Sequence, residues 1–368
     1  MFKIYLSLLL SLSICMPIAA NNPKDIAFDA FNDSYLDKEL HIYRANSDTS
    51  KSGVAAIWTQ AIYWDMAMNA YKRTKDTKYK QLMDNIFEGN ANYYDHFNWD
   101  NGKVWFIYDD IMWWTVSLAR AYEISKEEKY LTLSETSFER VWIGSPVVGD
   151  LGSYDAANGG MFWHWDQKNP GVRDPNEGKM ACINYPTVIA AATLYNITKK
   201  KDYLDKAKEI YAWSRNALFD PASGRVADSR HGAGEPNWTI NLYNQGTFIG
   251  AGVILFKETK DSIYLKDAIA AADYVKNKMS SPKGALPIKN GIEQGVYAAI
   301  FAQYIGELIT SCGQYQYLDW IHYNIDQAWD KRDEKRNLTF KNIYVKCPTG
   351  NIEVYDASAC PALMQVVP

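Results

Sequence analysis

Two kinds of helix alternate along this chain, and the alternation leaves it few folds. One kind carries no charge: Ala55–Trp64, Ile111–Ala119, Ala181–Thr198, Tyr243–Phe256 and Gln294–Gly306. The other is amphipathic and charged: Thr77–Glu88, Glu127–Arg140, Lys201–Arg215, Asp261–Lys278 and Gln316–Arg332. A helix apolar on every side must be buried on every side, whereas an amphipathic one covers a core with one face wet. The pattern predicts an inner ring of helices wrapped by an outer ring. A repeated joint supports it: Lys75-Asp-Thr-Lys-Tyr79, Lys126-Glu-Glu-Lys-Tyr130-Leu, Lys200-Lys-Asp-Tyr203-Leu, Lys260-Asp-Ser-Ile-Tyr264-Leu and a weaker Gly313-Gln-Tyr-Gln-Tyr317-Leu. With Lys24–Arg44 as first outer helix and Tyr355–Val367 as last inner one, six pairs result. The expected class is all-α, an (α/α)6 barrel of alternating inner and outer helices, in one domain over residues 21–368. The connections at the opposite end of the pairs are long: Asn98–Tyr108, Gly144–Lys179, Asp220–Leu242 and Ser280–Glu293. Long loops gathered on one face of a rigid scaffold usually carry the site. Only Gly224–Ala227 suggests a short ribbon.

The first twenty residues read as a secretory leader: Lys3, the apolar run Ile4–Ile14, then Pro17-Ile-Ala-Ala20. The chain is expected to be exported, to the periplasm or the medium. Cys15, in Leu12-Ser-Ile-Cys15, offers a lipid anchor as the alternative, although Ile14 is bulky for that motif. No other apolar run reaches the ~20 residues of a membrane span. A net charge of −4 gives no basic footprint for nucleic acid. A monomer is expected. Cys182 reads as a packed thiol, and Cys347 and Cys360 are close enough in sequence for a disulfide in an oxidising compartment. Five scattered histidines, with no CxxC and no HExxH, imply no metal site and no cofactor.

Aromatic clustering narrows the function. Nine of the thirteen Trp lie between Trp58 and Trp165, which points to a large core or a stacking surface for sugar rings. Among them, Trp105-Phe-Ile-Tyr-Asp-Asp-Ile-Met-Trp-Trp114 sets Asp109 and Asp110 at the start of an inner helix. The bland reading of such a pair is a helix cap. One Asp suffices for a cap, however, and two ionised carboxylates among aromatic rings are costly without a purpose. Paired carboxylates are what cleavage of a glycosidic bond needs, one to exchange a proton and one to attack or stabilise. Trp58, Trp113 and Trp163 are candidate sugar platforms, with core packing the equal alternative. Asn184, Tyr243, Asn244 and Gln245 stand at the starts of apolar inner helices, where polar groups line a cavity or cap. Asp228, in a long loop, is a candidate hydroxyl ligand. Glu177 and Lys179 read as solvated. An acidic glycan would call for a cationic cavity, and the loops offer Arg173, Arg225 and Arg230.

The aspartate motif resembles the catalytic motif of glycoside hydrolase family 76, the endo-α-1,6-mannanases. Asn158-Gly-Gly-Met-Phe-Trp163 is similar to that family's Gly-Gly-aromatic loop. Lys179-Met-Ala-Cys-Ile-Asn184-Tyr-Pro-Thr-Val-Ile-Ala-Ala-Ala resembles the helix after it, and Tyr243-Asn-Gln-Gly246 also matches. The stretch from Trp163-His-Trp165-Asp-Gln-Lys to Lys179 departs from the pattern. The resemblance implies an (α/α)6 barrel and an α-mannan polysaccharide or oligosaccharide as substrate. It also implies a retaining mechanism, with Asp109 as nucleophile and Asp110 as general acid/base. Transfer to a second sugar instead of water, and glycan binding without catalysis, are the alternatives on the same scaffold.

Overall fold

The computed structural model describes residues 22–174 and 176–368. The expected leader and Cys15 lie outside the described residues. Six inner helices form a closed ring: α2 (Ile57–Thr74), α4 (Tyr108–Ser125), α6 (Ala181–Thr198), α8 (Leu242–Thr259), α10 (Tyr297–Cys312) and α13 (Ala359–Val366). Each packs on the next, and α13 returns against α2. Around them lie α1 (Pro23–Tyr35), α3 (Thr77–Tyr93), α5 (Glu128–Ile143), α7 (Lys201–Leu218), α9 (Ser262–Tyr274, continued by a π-helical turn) and α11 (Leu318–Asp330). A short helix α12 (Val354–Ala357) precedes α13. The fold is the expected all-α double ring. Among the described residues no helix is long and apolar enough to cross a membrane.

Three boundaries differ from expectation. The first outer helix stops at Tyr35 because the Asp37 carboxylate accepts from the N–H groups of Glu39 (2.8 Å) and Leu40 (2.9 Å), a local turn that competes with the helix. The last inner segment breaks at Ser358, whose hydroxyl donates to the Tyr355 carbonyl. Inner helix α2 runs on past its charge-free start through a buried Asp65.

The repeated joint has a physical reading. Lys75, Lys126, Lys199 and Lys260 each end an inner helix in the left-handed conformation, with φ of 59°, 61°, 59° and 63°. Each backbone N–H donates to the carbonyl four residues back, on Tyr71, Tyr122, Tyr195 and Phe256. Each ammonium then lies 5.2–6.0 Å from that same residue's ring centroid. The left-handed backbone costs about 1–2 kcal/mol. A cation at the helix's negative end and over a ring returns roughly that amount. The joint's Tyr reaches across to the preceding outer helix. Tyr79 donates to Asp29, Tyr203 to Glu135 and Tyr317 to Asp273, at 2.8–3.1 Å.

The long loops are tied to one another. Strand β1 (Gly178–Met180) pairs antiparallel with β4 (Ser229–His231), and β2 (Phe219–Asp220) with β3 (Arg225–Val226). The β2–β3 pair is the ribbon expected at Gly224–Ala227. The β1–β4 pair was not legible, since three residues are too short to show an alternation.

Candidate active site

Asp109 and Asp110 stand in the first turn of α4, and neither caps it. The cap position is Ile107, with no side-chain cap bond. Backbone pairing fixes the approach: the Tyr108 N–H donates to the Trp163 carbonyl (3.0 Å), and the Trp163 N–H to the Gly178 carbonyl (3.1 Å). This clamp sets the Trp163 side chain beside Asp109. Gly159 and Gly160, with φ of 71° and 77°, turn the loop against the Trp213 ring, which an added Cβ would meet at 2.8 and 2.6 Å. Here the glycines are needed both for the turn and for the close approach.

Burial pushes the Asp109 carboxyl up to about 6, although the Cys182 thiol and the indoles of Trp163 and Trp113 favour its ionised form. Among the described residues, its Oδ1 and the Trp113 Nε1 are buried without a hydrogen-bond partner. Asp110 is pushed well above the ordinary carboxylate range by burial, then by the charges of Asp109 and Glu293. The helix N-terminus should favour ionisation of both, and desolvation outweighs it. The two carboxyls are therefore poised differently, with Asp110 pushed further above its ordinary range than Asp109.

Around them lie side chains from four chain-distant loops. Trp58 is partly exposed and packs on Trp113, with ring centroids 6.0 Å apart. Its indole N–H donates to Glu293 Oε2 at 2.8 Å. Glu293, with φ of 67°, holds a conformation rare outside glycine and was not a sequence candidate. Tyr243 packs against Tyr297, the ring centroids 4.3 Å apart and the planes tilted by 31°. Cys182 feels the charges of both Asp109 and Asp228. It is thus a thiol facing the site rather than one packed among apolar groups alone. Asp228 accepts from the side-chain amides of Asn241 (2.8 Å) and Asn244 (3.1 Å), and Asn241 in turn accepts from Lys289.

Other sequence candidates are not brought to the cleft. The buried Asn184 amide accepts from the Met161 N–H and donates to the Met161 and Met180 carbonyls. It holds the Gly-Gly loop. Gln245, equally buried, accepts from the Val226 N–H and donates to the Gly224 and Ala271 carbonyls. It holds the β2–β3 ribbon. Asn244 is fully buried and reaches the site only through Asp228. Glu177 and Lys179 are not solvated: Glu177 pairs with His164 at 2.8 Å and Lys179 with Asp155 at 2.7 Å. Cys347 and Cys360 are both buried free thiols. Among the described residues no cluster of three or more His, Cys, Asp or Glu is placed to hold a metal ion.

Comparison with known proteins agrees with this geometry. A family model described as glycosyl hydrolase family 76 matches residues 24–357. Among solved structures, the α-1,6-mannanase of Salegentibacter sp. HEL1_6 is 24% identical with a TM-score of 0.79, covering 94% of this chain and 97% of that one. An inactive variant of that enzyme, with two adjacent aspartates replaced by asparagine, is in complex with α-1,6-mannotriose; it is 23% identical with a TM-score of 0.78, and the shares covered are 94% and 97%. A family 76 mannosidase from Bacteroides thetaiotaomicron VPI-5482 is 20% identical with a TM-score of 0.77, covering 93% of this chain and 96% of that one. No curated protein matches the chain. At these identities the solved structures speak for the fold, and the family model, which spans most of the chain, for the lineage. The chain belongs to glycosyl hydrolase family 76, and it is a glycoside hydrolase on an (α/α)6 barrel.

Proposed function

We propose that this chain cleaves α-1,6-mannosidic bonds within mannan, with retention of anomeric configuration, as an exported monomer. The observation that carries the reading is the pair of cation-free, differently poised carboxyls at the start of α4, ringed by Trp58, Trp113 and Trp163. Support also comes from the Salegentibacter enzyme, whose adjacent-aspartate variant is described as inactive and binds α-1,6-mannotriose. Asp109 attacks the anomeric carbon as the glycosidic bond breaks, and Asp110 gives its proton to the departing oxygen. Asp110, now ionised, takes a proton from water. That water attacks the same carbon and releases Asp109. Trp58 and the Tyr243–Tyr297 pair offer apolar faces to sugar rings, and Asp228 accepts from a sugar hydroxyl.

The test is incubation with linear α-1,6-mannan, chromatography of the products and NMR of the first anomer released. Oligosaccharides of mixed length and α-mannose appearing first are expected. Release of mannose alone would replace endo by exo action, and β-mannose first would remove the nucleophile role from Asp109. Products longer than the substrate at high mannoside concentration would favour transfer over hydrolysis. Binding of mannan with no product at all would leave a glycan-binding protein.

A further inference from the structure

The cleft itself is acidic. Asp109, Asp110, Asp228 and Glu293 converge there, which suits a neutral backbone and repels a charged one. Beside it, on the same loop face, lies a groove of about 620 Å³ with the opposite character. Arg173, Lys179 and Arg230 line it, against one carboxylate among its described lining residues, Asp155, with Glu177 close enough to feel the Arg173 charge. Two of the three loop arginines singled out by the sequence meet here. The third, Arg225, is spent on Asp220 and on the Trp238 ring.

The cations are set by the backbone rather than by chance of side-chain reach. Lys179 and Arg230 are direct cross-strand partners in the β1–β4 pair. Like charges so placed repel, and among the described residues Asp155 pairs with Lys179 and not with Arg230. The Phe162 ring underlies both Arg173 (4.5 Å to the centroid) and Lys179 (4.8 Å). Among the described residues, only one nitrogen of each guanidinium has a protein partner. Arg173 donates from Nη2 to the Gly152 carbonyl, and Arg230 from Nε to the Gly234 carbonyl at 2.9 Å. The remaining donors of two forks, beside the half-buried Trp213 ring, suit an anionic group attached to a sugar ring. Phe162 of the groove and Trp163 of the cleft are successive residues of one loop, so the two sites are neighbours on it.

We propose that this groove binds a sugar bearing a negatively charged group, carried on a branch of the glycan whose neutral backbone occupies the cleft. The proposal rests on the mannan reading only for naming that backbone. Calorimetry of the full chain with mannose 6-phosphate, inorganic phosphate and mannose tests it. Mannose 6-phosphate is expected to bind at least about tenfold more tightly than mannose, through charge-assisted bonds, and more tightly than phosphate alone. Arg230→Gln is expected to erase that preference and Arg230→Lys to retain part of it. Neither should alter turnover of neutral linear α-1,6-mannan. Equal affinity for mannose 6-phosphate and mannose overturns the proposal, as does a preference that survives Arg230→Gln. Phosphate binding as tightly as the sugar phosphate overturns the sugar part and leaves an anion site. Failure of the native chain on neutral mannan would sink the functional reading and leave these binding results intact.

Discussion

The two ends of this barrel treat buried carboxylates in opposite ways. At the far end, where the inner helices finish in their left-handed lysines, Asp65 is buried but paired with Arg120 at 2.6 Å. Asn69, Gln303 and Glu307 extend that network across the axis, with Asn69 donating to Gln303 (2.6 Å) and Gln303 to Glu307 (2.7 Å). At the mouth, Asp109 and Asp110 are buried with no cation paired to them among the described residues, and a third carboxylate, Glu293, adds to the repulsion on Asp110. The same helices, α2 and α4 among them, supply both ends. One end spends its charges on closing the barrel. Burial raises the Asp65 carboxyl too, but Arg120 opposes it; at the mouth the neighbouring carboxylates add to the rise instead, and Asp110 is pushed well above the ordinary range, as a proton donor requires.

The sharpest break of this contrast is removal of either mouth carboxylate. Asp109→Asn and Asp110→Asn are each expected to lose at least ~10³-fold in kcat, since each removes an essential part of a two-step displacement. Both should stay folded. Their melting temperatures should exceed the native value at pH 7, and the gain should shrink at pH 5. The sign follows from the raised carboxyls. The folded state holds protons that the unfolded chain, with carboxyl pKa near ~4, has released, so the cost of burial is felt above a pH of about 6 and fades as pH falls through it. Thermal melts at the two pH values check this, and near-native activity in either variant would end the catalytic assignment.

At the far end the expectation reverses. Arg120→Met leaves Asp65 buried alone and should cost about 3 kcal/mol in denaturant unfolding, with kcat little changed in the folded fraction. Loss of turnover at unchanged stability would mean that the far end acts on the chemistry. Between the ends in effect stands Asn184. Asn184→Ala strands the Met161 N–H and carbonyl of the Gly-Gly loop, at about 1–3 kcal/mol. It should also lower kcat/KM several-fold by loosening Trp163. Unchanged kcat/KM would show that the loop does not hold that ring.

Glu293→Gln sharpens the electrostatic half of the comparison. Removing a negative charge near Asp110 lowers that group's pKa, so the falling limb of kcat/KM against pH should move to lower pH. An unmoved limb would restrict Glu293 to orienting Trp58. The smallest effect is expected at a joint. In Lys126→Gly, relief of the left-handed backbone offsets the lost ring and dipole contacts, so stability should change by less than about 1 kcal/mol.

Why Glu293 went unseen while Asp109 did not is a matter of surroundings. Asp109 and Asp110 interrupt an aromatic, helical run, so their cost is visible in one dimension. Glu293 sits in a polar loop where an acid costs nothing, and only its approach to Trp58 across 235 positions gives it meaning. Asn184 and Gln245 failed in the opposite sense. A polar residue at the start of an apolar helix has to be satisfied, but the helical period does not tell whether a cavity or a neighbouring loop satisfies it. Both turned out to face loop backbone. Cys182 looked inert because nothing in its own helix hinted that Asp109 and Asp228 would flank it.

Helical period, charge segregation and the repeated joint were local properties, and they determined the double ring of helices and which end of it carries the long loops. The aspartate pair was determined in the same way, by the conflict between two charges and the rings beside them. Which polar groups reach the cleft was decided only when the ring closed, α13 against α2, and brought four loops distant in sequence to one mouth. Contacts such as Trp58 with Glu293, Asn184 with the Gly-Gly loop, and Lys179 beside Arg230 depend on that convergence, because a side chain's partner is set by distance in space and not by spacing along the chain.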